Sequence, residues 1–111
     1  MSELRFDRFT LVLLRRPPDA PDLPEEELDA LQEQHLAHLQ AMRQRGALAA
    51  AGPFDDRTRR DESLRGLCIY RTDVDETRRL AAQDPAVIAG RMLPEVLSWL
   101  VPSGEHYLSR V

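Results

Sequence analysis

The sequence contains no lysine, no asparagine and only one cysteine, Cys68. Without lysine, the chain cannot use a mechanism that depends on a Schiff-base lysine. One cysteine cannot form a disulfide within the chain. Because Cys68 lies among Leu67, Ile69 and Tyr70 in a strand-like segment, the sequence predicts a buried and unreactive thiol.

Long apolar runs, a signal sequence and an excess of basic residues are also missing. No run approaches the roughly 18 apolar residues that a membrane span needs. The first five residues lack the basic, apolar and small-residue order of a signal peptide. A net charge of −4 and a pI near 5.3 argue against binding to nucleic-acid phosphates. We therefore predict one cytoplasmic domain over 1–111, with neither a membrane nor a nucleic acid as partner. The order of the tail at 103–111 is left open.

The spacing of apolar residues predicts strands and helices in a recognisable order. The pattern gives strands at 5–16, 47–51, 64–71 and 96–101, and helices at about 25–45 and 73–83. The order strand, helix, strand, strand, helix, strand is that of the ferredoxin-like α+β fold. In this fold an antiparallel four-stranded sheet carries two main helices on one face.

The second face of this sheet is predicted to be apolar as well. The first strand has apolar residues on both faces, and the last strand presents Leu97, Trp99 and Val101 together. A monomer rarely exposes such a patch. The simplest arrangement is a homodimer that stacks sheet on sheet, with Trp99 in the core or at that interface.

His35 interrupts the apolar stripe of the first helix. It falls in the middle of the arc formed by Leu28, Leu31, Leu39 and Met42, which recur at spacings of three and four. Burying an unpaired imidazole costs about 1–3 kcal/mol, so His35 needs a partner. That partner is either a backbone carbonyl in the core or a group in a functional pocket, and the residues alone favour the first.

Asp84 lies between two helical segments. Pro85 disfavours helical geometry at the preceding residue, so the helix should break there and Asp84 should cap a new turn. This cap, worth about 1 kcal/mol, explains Asp84 without any function. A capping carboxylate keeps a second oxygen that can accept an imidazole N–H and fix the tautomer of His35. The two roles are compatible in part.

Three blocks of the sequence together resemble the YciI-like (YCII-related) family: EQHLAHL at 33–39, AGP at 51–53 and AQDPAVIAG at 82–90. The resemblance implies a dimeric α/β-barrel with ferredoxin-like protomers. It also implies a pocket with a histidine and an aspartate, which correspond to His35 and Asp84. Most members have no assigned reaction, and one branch resembles lyases that remove chloride from chlorinated hydroxyquinols. The proline-rich loop at 17–24 looks longer than a minimal member needs and could reshape the pocket mouth.

Two functions fit these residues. In the first, the chain is a small-molecule enzyme in which His35 acts as general acid or base and Asp84 orients it. No nucleophilic serine or cysteine motif and no phosphate loop is present, which favours a lyase-type or isomerase-type proton transfer. In the second, the chain is a non-catalytic dimeric module that binds or senses a small ligand in the same pocket. No cofactor is predicted for either.

Three further residues are candidate pocket residues. His38 lies about 60° from His35 at the edge of the stripe, where it lines either the pocket or the stripe boundary. No metal site is predicted, because a third ligand is missing unless His106 in the tail supplies it. Gly52 and Pro53 are expected to end a strand, or to let a ligand approach the backbone closely.

Overall fold

The computed structural model describes residues 5–58 and 60–104, which form a four-stranded antiparallel sheet covered by helices on one face. The strands are β1 (Phe6–Arg15), β2 (Leu48–Pro53), β3 (Leu64–Tyr70) and β4 (Leu93–Pro102), and the helices are α1 (Glu25–Gln44), α2 (Val74–Ala82) and the short α3 (Pro85–Ile88). The strand order is β2-β3-β1-β4. This is the ferredoxin-like βαββαβ arrangement, so the predicted fold is confirmed.

The hydrophobic core lies between the helices and one face of the sheet. Val12 of β1 pairs with Cys68 of β3, and both are buried under the helices. Met42 of α1 and Leu80 of α2 complete this core from the other side. Burial raises the pKa of the Cys68 thiol to about 12, so the thiol stays protonated and unreactive at neutral pH.

The opposite face of the sheet has no helix over it among the described residues. Phe9 pairs with Trp99 and Leu11 pairs with Leu97 across β1 and β4, and the Phe9 and Trp99 ring centroids are 6.4 Å apart. Trp99 is 37% exposed and Leu97 is 44% exposed. We call this surface, formed by the outward residues of β1, β3 and β4, the open face.

The last strand is longer than predicted. The sequence predicts it from Val96 to Val101, whereas β4 begins at Leu93 and pairs with β1 from Arg15 to Phe6. The start was not predicted because Pro94 lies there, and proline disfavours a strand. β4 is an edge strand, and an edge tolerates a residue without a backbone N–H.

No helix in the described part of the chain is long and apolar enough to cross a membrane. Arg59, His106 and the tail beyond Gly104 lie outside the described residues. The predictions made for them therefore stay predictions.

Candidate active site

The junction between α2 and α3 fixes the position of Asp84. Because Pro85 follows it, Asp84 has an extended backbone (φ −63°, ψ 124°) and stands outside both helices. Its Oδ1 accepts the Ala86 N–H at 2.9 Å, which is the predicted N-cap. The residue is only 3% exposed. The helix break therefore places a carboxylate inside the protein with its second oxygen still available.

That second oxygen contacts His35. The His35 Nδ1 and Asp84 Oδ2 atoms are 2.6 Å apart, although the residues are 49 positions apart in the chain. A carboxylate only accepts hydrogen bonds, so Nδ1–H of His35 donates and Nε2 is left with its lone pair in the neutral ring. His35 is 7% exposed. The buried imidazole thus has a side-chain partner rather than a backbone carbonyl.

A cavity of about 260 Å³ opens beside this pair, between α1 and the strands β2 and β3. We call it the His35 cavity. Most of its wall is apolar, with Leu14, Leu36, Leu39, Leu67 and Met92 among its lining residues. With Nδ1 bound to Asp84, Nε2 is the nitrogen of His35 that remains for a molecule in the cavity. A cavity of this kind holds a small organic molecule.

Gly52 and Pro53 lie in the wall of the His35 cavity, opposite α1. Gly66 on the neighbouring strand pairs with Pro53. A Cβ added at Gly66 would lie 3.0 Å from the Gly52 carbonyl oxygen, whereas nothing lies within 4 Å of a Cβ added at Gly52. The strands β2 and β3 are therefore tightly packed at Gly66, while Gly52 leaves open space.

His38 lies beside the pair but is not among the residues that line the His35 cavity. Its pKa is lowered chiefly by burial, against an opposing effect of the Asp84 carboxylate. The Leu80 backbone also opposes this lowering of the pKa, and Nε2 is buried without a partner among the described residues. The structure thus brings His38 close to His35 and Asp84, behind the cavity rather than in it.

Sequence reasoning missed two polar residues of the His35 cavity, Gln32 and Arg65. Gln32 precedes His35 by three positions, so the helical period could have indicated it. Arg65 stands at the start of a strand, where an arginine is normally solvated. The only signal was its position next to Gly66, since glycine within a strand often marks a bulge.

In the ranges 5–58 and 60–104, no group of three or more histidine, cysteine, aspartate or glutamate side chains could hold a metal ion.

Comparison with known proteins adds a family and a fold. Of the solved structures, 5-chloro-2-hydroxyhydroquinone dehydrochlorinase from Burkholderia phenoliruptrix AC1100, in complex with 2,5-dihydroxybenzoquinone, is 20% identical, with a TM-score of 0.59. The match covers 82% of this chain and 92% of that one. A hypothetical protein of Arabidopsis thaliana is 11% identical over 96% of each chain, with a TM-score of 0.46. No curated protein matches significantly. The model of the YCII-related domain matches residues 9–99, and the chain therefore belongs to the YCII-related domain family.

Proposed function

We propose that this protein is a small-molecule enzyme of the lyase or isomerase type, in which His35 transfers a proton. The observation that carries the proposal is the 2.6 Å contact between His35 Nδ1 and Asp84 Oδ2 in a buried pair at the edge of a cavity. A purely structural histidine needs only a backbone partner and no open space. This one has a carboxylate on one side and a cavity on the other.

The pair has the parts that general base catalysis requires. Asp84 accepts a hydrogen bond from Nδ1–H, which fixes the tautomer and leaves the Nε2 lone pair for a proton of the substrate. When Nε2 takes that proton, the ring becomes positively charged, and the Asp84 carboxylate stabilises the charge. In an isomerisation the same nitrogen returns the proton to another carbon of the substrate. In an elimination the electron pair of the broken C–H bond expels the leaving group as its bond to carbon breaks, and Nε2 passes its proton to that group or to water.

The fold is compatible with this reaction class. The solved structure with the similar fold is a dehydrochlorinase by name, and such an enzyme is of the lyase type. At 20% identity that likeness carries the fold and not the substrate. The reaction type therefore rests on His35 and Asp84 of this chain, and chloride elimination is one member of the class.

Proton exchange at carbon tests the proposal without knowledge of the natural substrate. The protein is incubated in D₂O with a panel of enolisable hydroxyketones and hydroxyquinones, and loss of C–H signals is followed by ¹H NMR. For any compound whose exchange the protein accelerates, we expect His35→Asn to lower the rate by roughly 100-fold or more, because general acid–base catalysis contributes about that much.

The matched control is Gln34→Asn, which changes an exposed side chain on the same helix. We expect it to leave the exchange rate unchanged. Equal rates in wild type and His35→Asn would contradict the proposal. Saturable binding of a compound whose exchange is never accelerated would instead favour the non-catalytic binding module.

We also propose that the protein forms a homodimer through the open face. Support comes from the apolar pairs Phe9–Trp99 and Leu11–Leu97, which cross the face without a cover among the described residues. Stacking two such faces would bury both sets of side chains, and a two-fold dimer needs only one self-complementary surface.

The remaining predictions rest on the sequence alone and stay predictions. They are a cytoplasmic location, no cofactor, and no nucleic acid or membrane as partner. The ligand of the His35 cavity is a small molecule in both functional hypotheses.

A further inference from the structure

We infer that Arg65 makes the His35 cavity selective for a small organic carboxylate with an apolar, ring-sized body. This inference rests on the proposed function, because it names the substrate class of the same cavity. The guanidinium would bind the carboxylate while the apolar walls hold the ring near His35.

The Arg65 side chain lacks a partner that its position calls for. Its Nε is buried and makes no hydrogen bond within the described residues. A buried donor without a partner destabilises the folded chain, and more so when the group is charged. None of the described residues that line the cavity is an aspartate or glutamate. An anionic ligand would supply the counter-charge for the guanidinium that the lining residues do not.

A bulge in β3 sets the position of Arg65. Against β1, Gly66 pairs with Leu14 and Leu64 pairs with Arg15, so Arg65 is the extra residue. A bulge breaks the alternation of a strand and redirects a side chain, and bulges are common beside active sites. Arg65 consequently lines the His35 cavity, where the regular alternation would have given this position to the open face.

Two more arginines lie close to Arg65. A groove of about 510 Å³ under the proline-rich loop is lined by Arg16, Arg65 and Arg91, together with Asp22 and Glu62. A third cavity of about 210 Å³ is lined by Arg16 and Arg91 and shares Gln32 and Met92 with the His35 cavity. Three cations against two acids give a positive approach in a chain whose net charge is −4. Such a local field attracts an anion.

Neighbouring charges explain why Arg65 in particular is available. Arg15, one strand away, is already bound to Asp61 and Glu95. Arg91 donates to the Pro21 carbonyl. Arg65 has the planar, five-donor group that binds a carboxylate through two parallel hydrogen bonds. A carboxylate attached to a ring fits this cavity, because the carboxylate can bind the Arg65 guanidinium while the ring contacts the apolar wall.

The test compares benzoate with benzamide, which has the same shape without the charge. Binding to the full chain is measured by calorimetry at low salt, and His35 ring signals in ¹H–¹⁵N spectra report whether the ligand occupies this cavity. We expect benzoate to bind at least about tenfold more tightly than benzamide, since a charged hydrogen bond contributes about 1.5–3 kcal/mol. Equal affinities, or no saturable binding of benzoate, would overturn the inference.

Variants then assign the preference to one residue. Arg65→Met should abolish the difference between benzoate and benzamide, and Arg65→Lys should retain part of it because the charge remains. The control Arg57→Met removes the same charge from an exposed arginine paired with Asp55, and it should bind benzoate as wild type does. Identical benzoate affinity in Arg65→Met and Arg57→Met would overturn the inference.

The inference and the proposed function fail separately. If benzoate and benzamide bind equally well, the inference on Arg65 fails, but proton exchange that depends on His35 still supports the proposed function. Conversely, Arg65-dependent benzoate binding in a protein whose proton exchange ignores His35→Asn overturns only the proposed enzyme.

Discussion

At the residue scale, Asp84 uses its two oxygens for two separate tasks. Oδ1 caps α3 through the Ala86 N–H, and Oδ2 accepts from His35 Nδ1. The cap explains why an acidic residue stands before Pro85, and the histidine contact explains why that acid is buried. A substitution that keeps the helix cap but removes the hydrogen bond to His35 can distinguish the effect of Asp84 on stability from its effect on the histidine.

Asp84→Asn is that substitution. The amide oxygen still caps the helix, because asparagine is as good an N-cap as aspartate. If the amide nitrogen replaces Oδ2, it cannot accept the His35 Nδ1–H. We expect the ¹⁵N shifts of the His35 ring in the wild type to show a proton fixed on Nδ1, and in Asp84→Asn to show a mixture of tautomers.

Asp84→Ala provides the comparison, since it removes both the cap on α3 and the hydrogen bond to His35. We expect its free energy of unfolding in urea to fall about 1 kcal/mol further than that of Asp84→Asn, the usual value of an N-cap. An unchanged His35 tautomer in Asp84→Asn would contradict the assigned hydrogen bond.

His38 gives the molecule a pH dependence of known sign. The pKa of His38 in the folded chain lies below the usual histidine value of 6.5, chiefly because of burial. The unfolded chain therefore takes up a proton on His38 first as the pH falls. The stability due to neutral His38 is present above about pH 6.5 and is lost as the pH falls through the folded pKa.

We expect the free energy of unfolding to drop between pH 7 and pH 5 in the wild type, and to drop less in His38→Gln. Urea unfolding at several pH values measures both slopes. His35 and Asp84 are present in both proteins, so the difference isolates His38. Parallel curves would refute the assignment.

The sequence identified the two residues of the pair, and their contact was one of the two alternatives that it left open. His35 was identifiable as the polar member of a leucine stripe, and Asp84 as a cap before proline. Their contact across 49 positions depends on how α1 packs against α3, which no local pattern encodes. The helical spacing puts His38 on the stripe edge, but the direction of its side chain also depends on that packing.

At the element scale, the close approach of β2 and β3 holds one wall of the His35 cavity. Gly66 is buried, and a Cβ there would meet the Gly52 carbonyl at 3.0 Å. The neighbouring atom belongs to the backbone, so it cannot rotate away. The sequence predicted both strands, but a tight contact between two glycines appears only once the register is known.

Gly66→Ala should therefore destabilise the protein, by about 1–3 kcal/mol, the usual cost of overpacking. Gly52→Ala is the matched control, because nothing lies within 4 Å of its added Cβ. Urea unfolding of both variants measures the difference. Equal free energies of unfolding would show that the strands separate without cost.

Element boundaries were predicted well where capping chemistry marks them and poorly where tertiary pairing decides. The predicted break at Pro85 and the cap by Asp84 are present between α2 and α3. The start of β4 was three residues off, since pairing with β1 extends the strand through Pro94. The bulge at Arg65 also depends on strand pairing, and Gly66 was its only local sign.

At the scale of the whole molecule, the order of elements was enough to predict the topology. Four strands and two helices in this order, with short connections, allow few arrangements. The ferredoxin-like fold is the arrangement that fits both the order and the connections. What the order cannot supply is the partner of the open face. That face remains half exposed at Trp99 and Leu97 in the single chain.

We expect the wild type to have the mass of a dimer in light scattering at micromolar concentration, and Leu97→Asp to have the mass of a monomer. A carboxylate at the centre of a stacked apolar face would be buried without a partner, at a cost of several kcal/mol. Trp99, the only tryptophan in the chain, offers a second signal: its emission should shift to the red in Leu97→Asp, as the ring meets water.

The control for this experiment makes the same chemical change on the helical layer. Ile88 is 73% exposed on α3, so Ile88→Asp adds a carboxylate of equal charge away from the open face. Ile88→Asp should keep the dimer mass and the wild-type tryptophan emission. Dissociation in both variants would place the interface elsewhere or attribute it to net charge. A monomeric wild type would remove the homodimer altogether and leave the open face to a different partner.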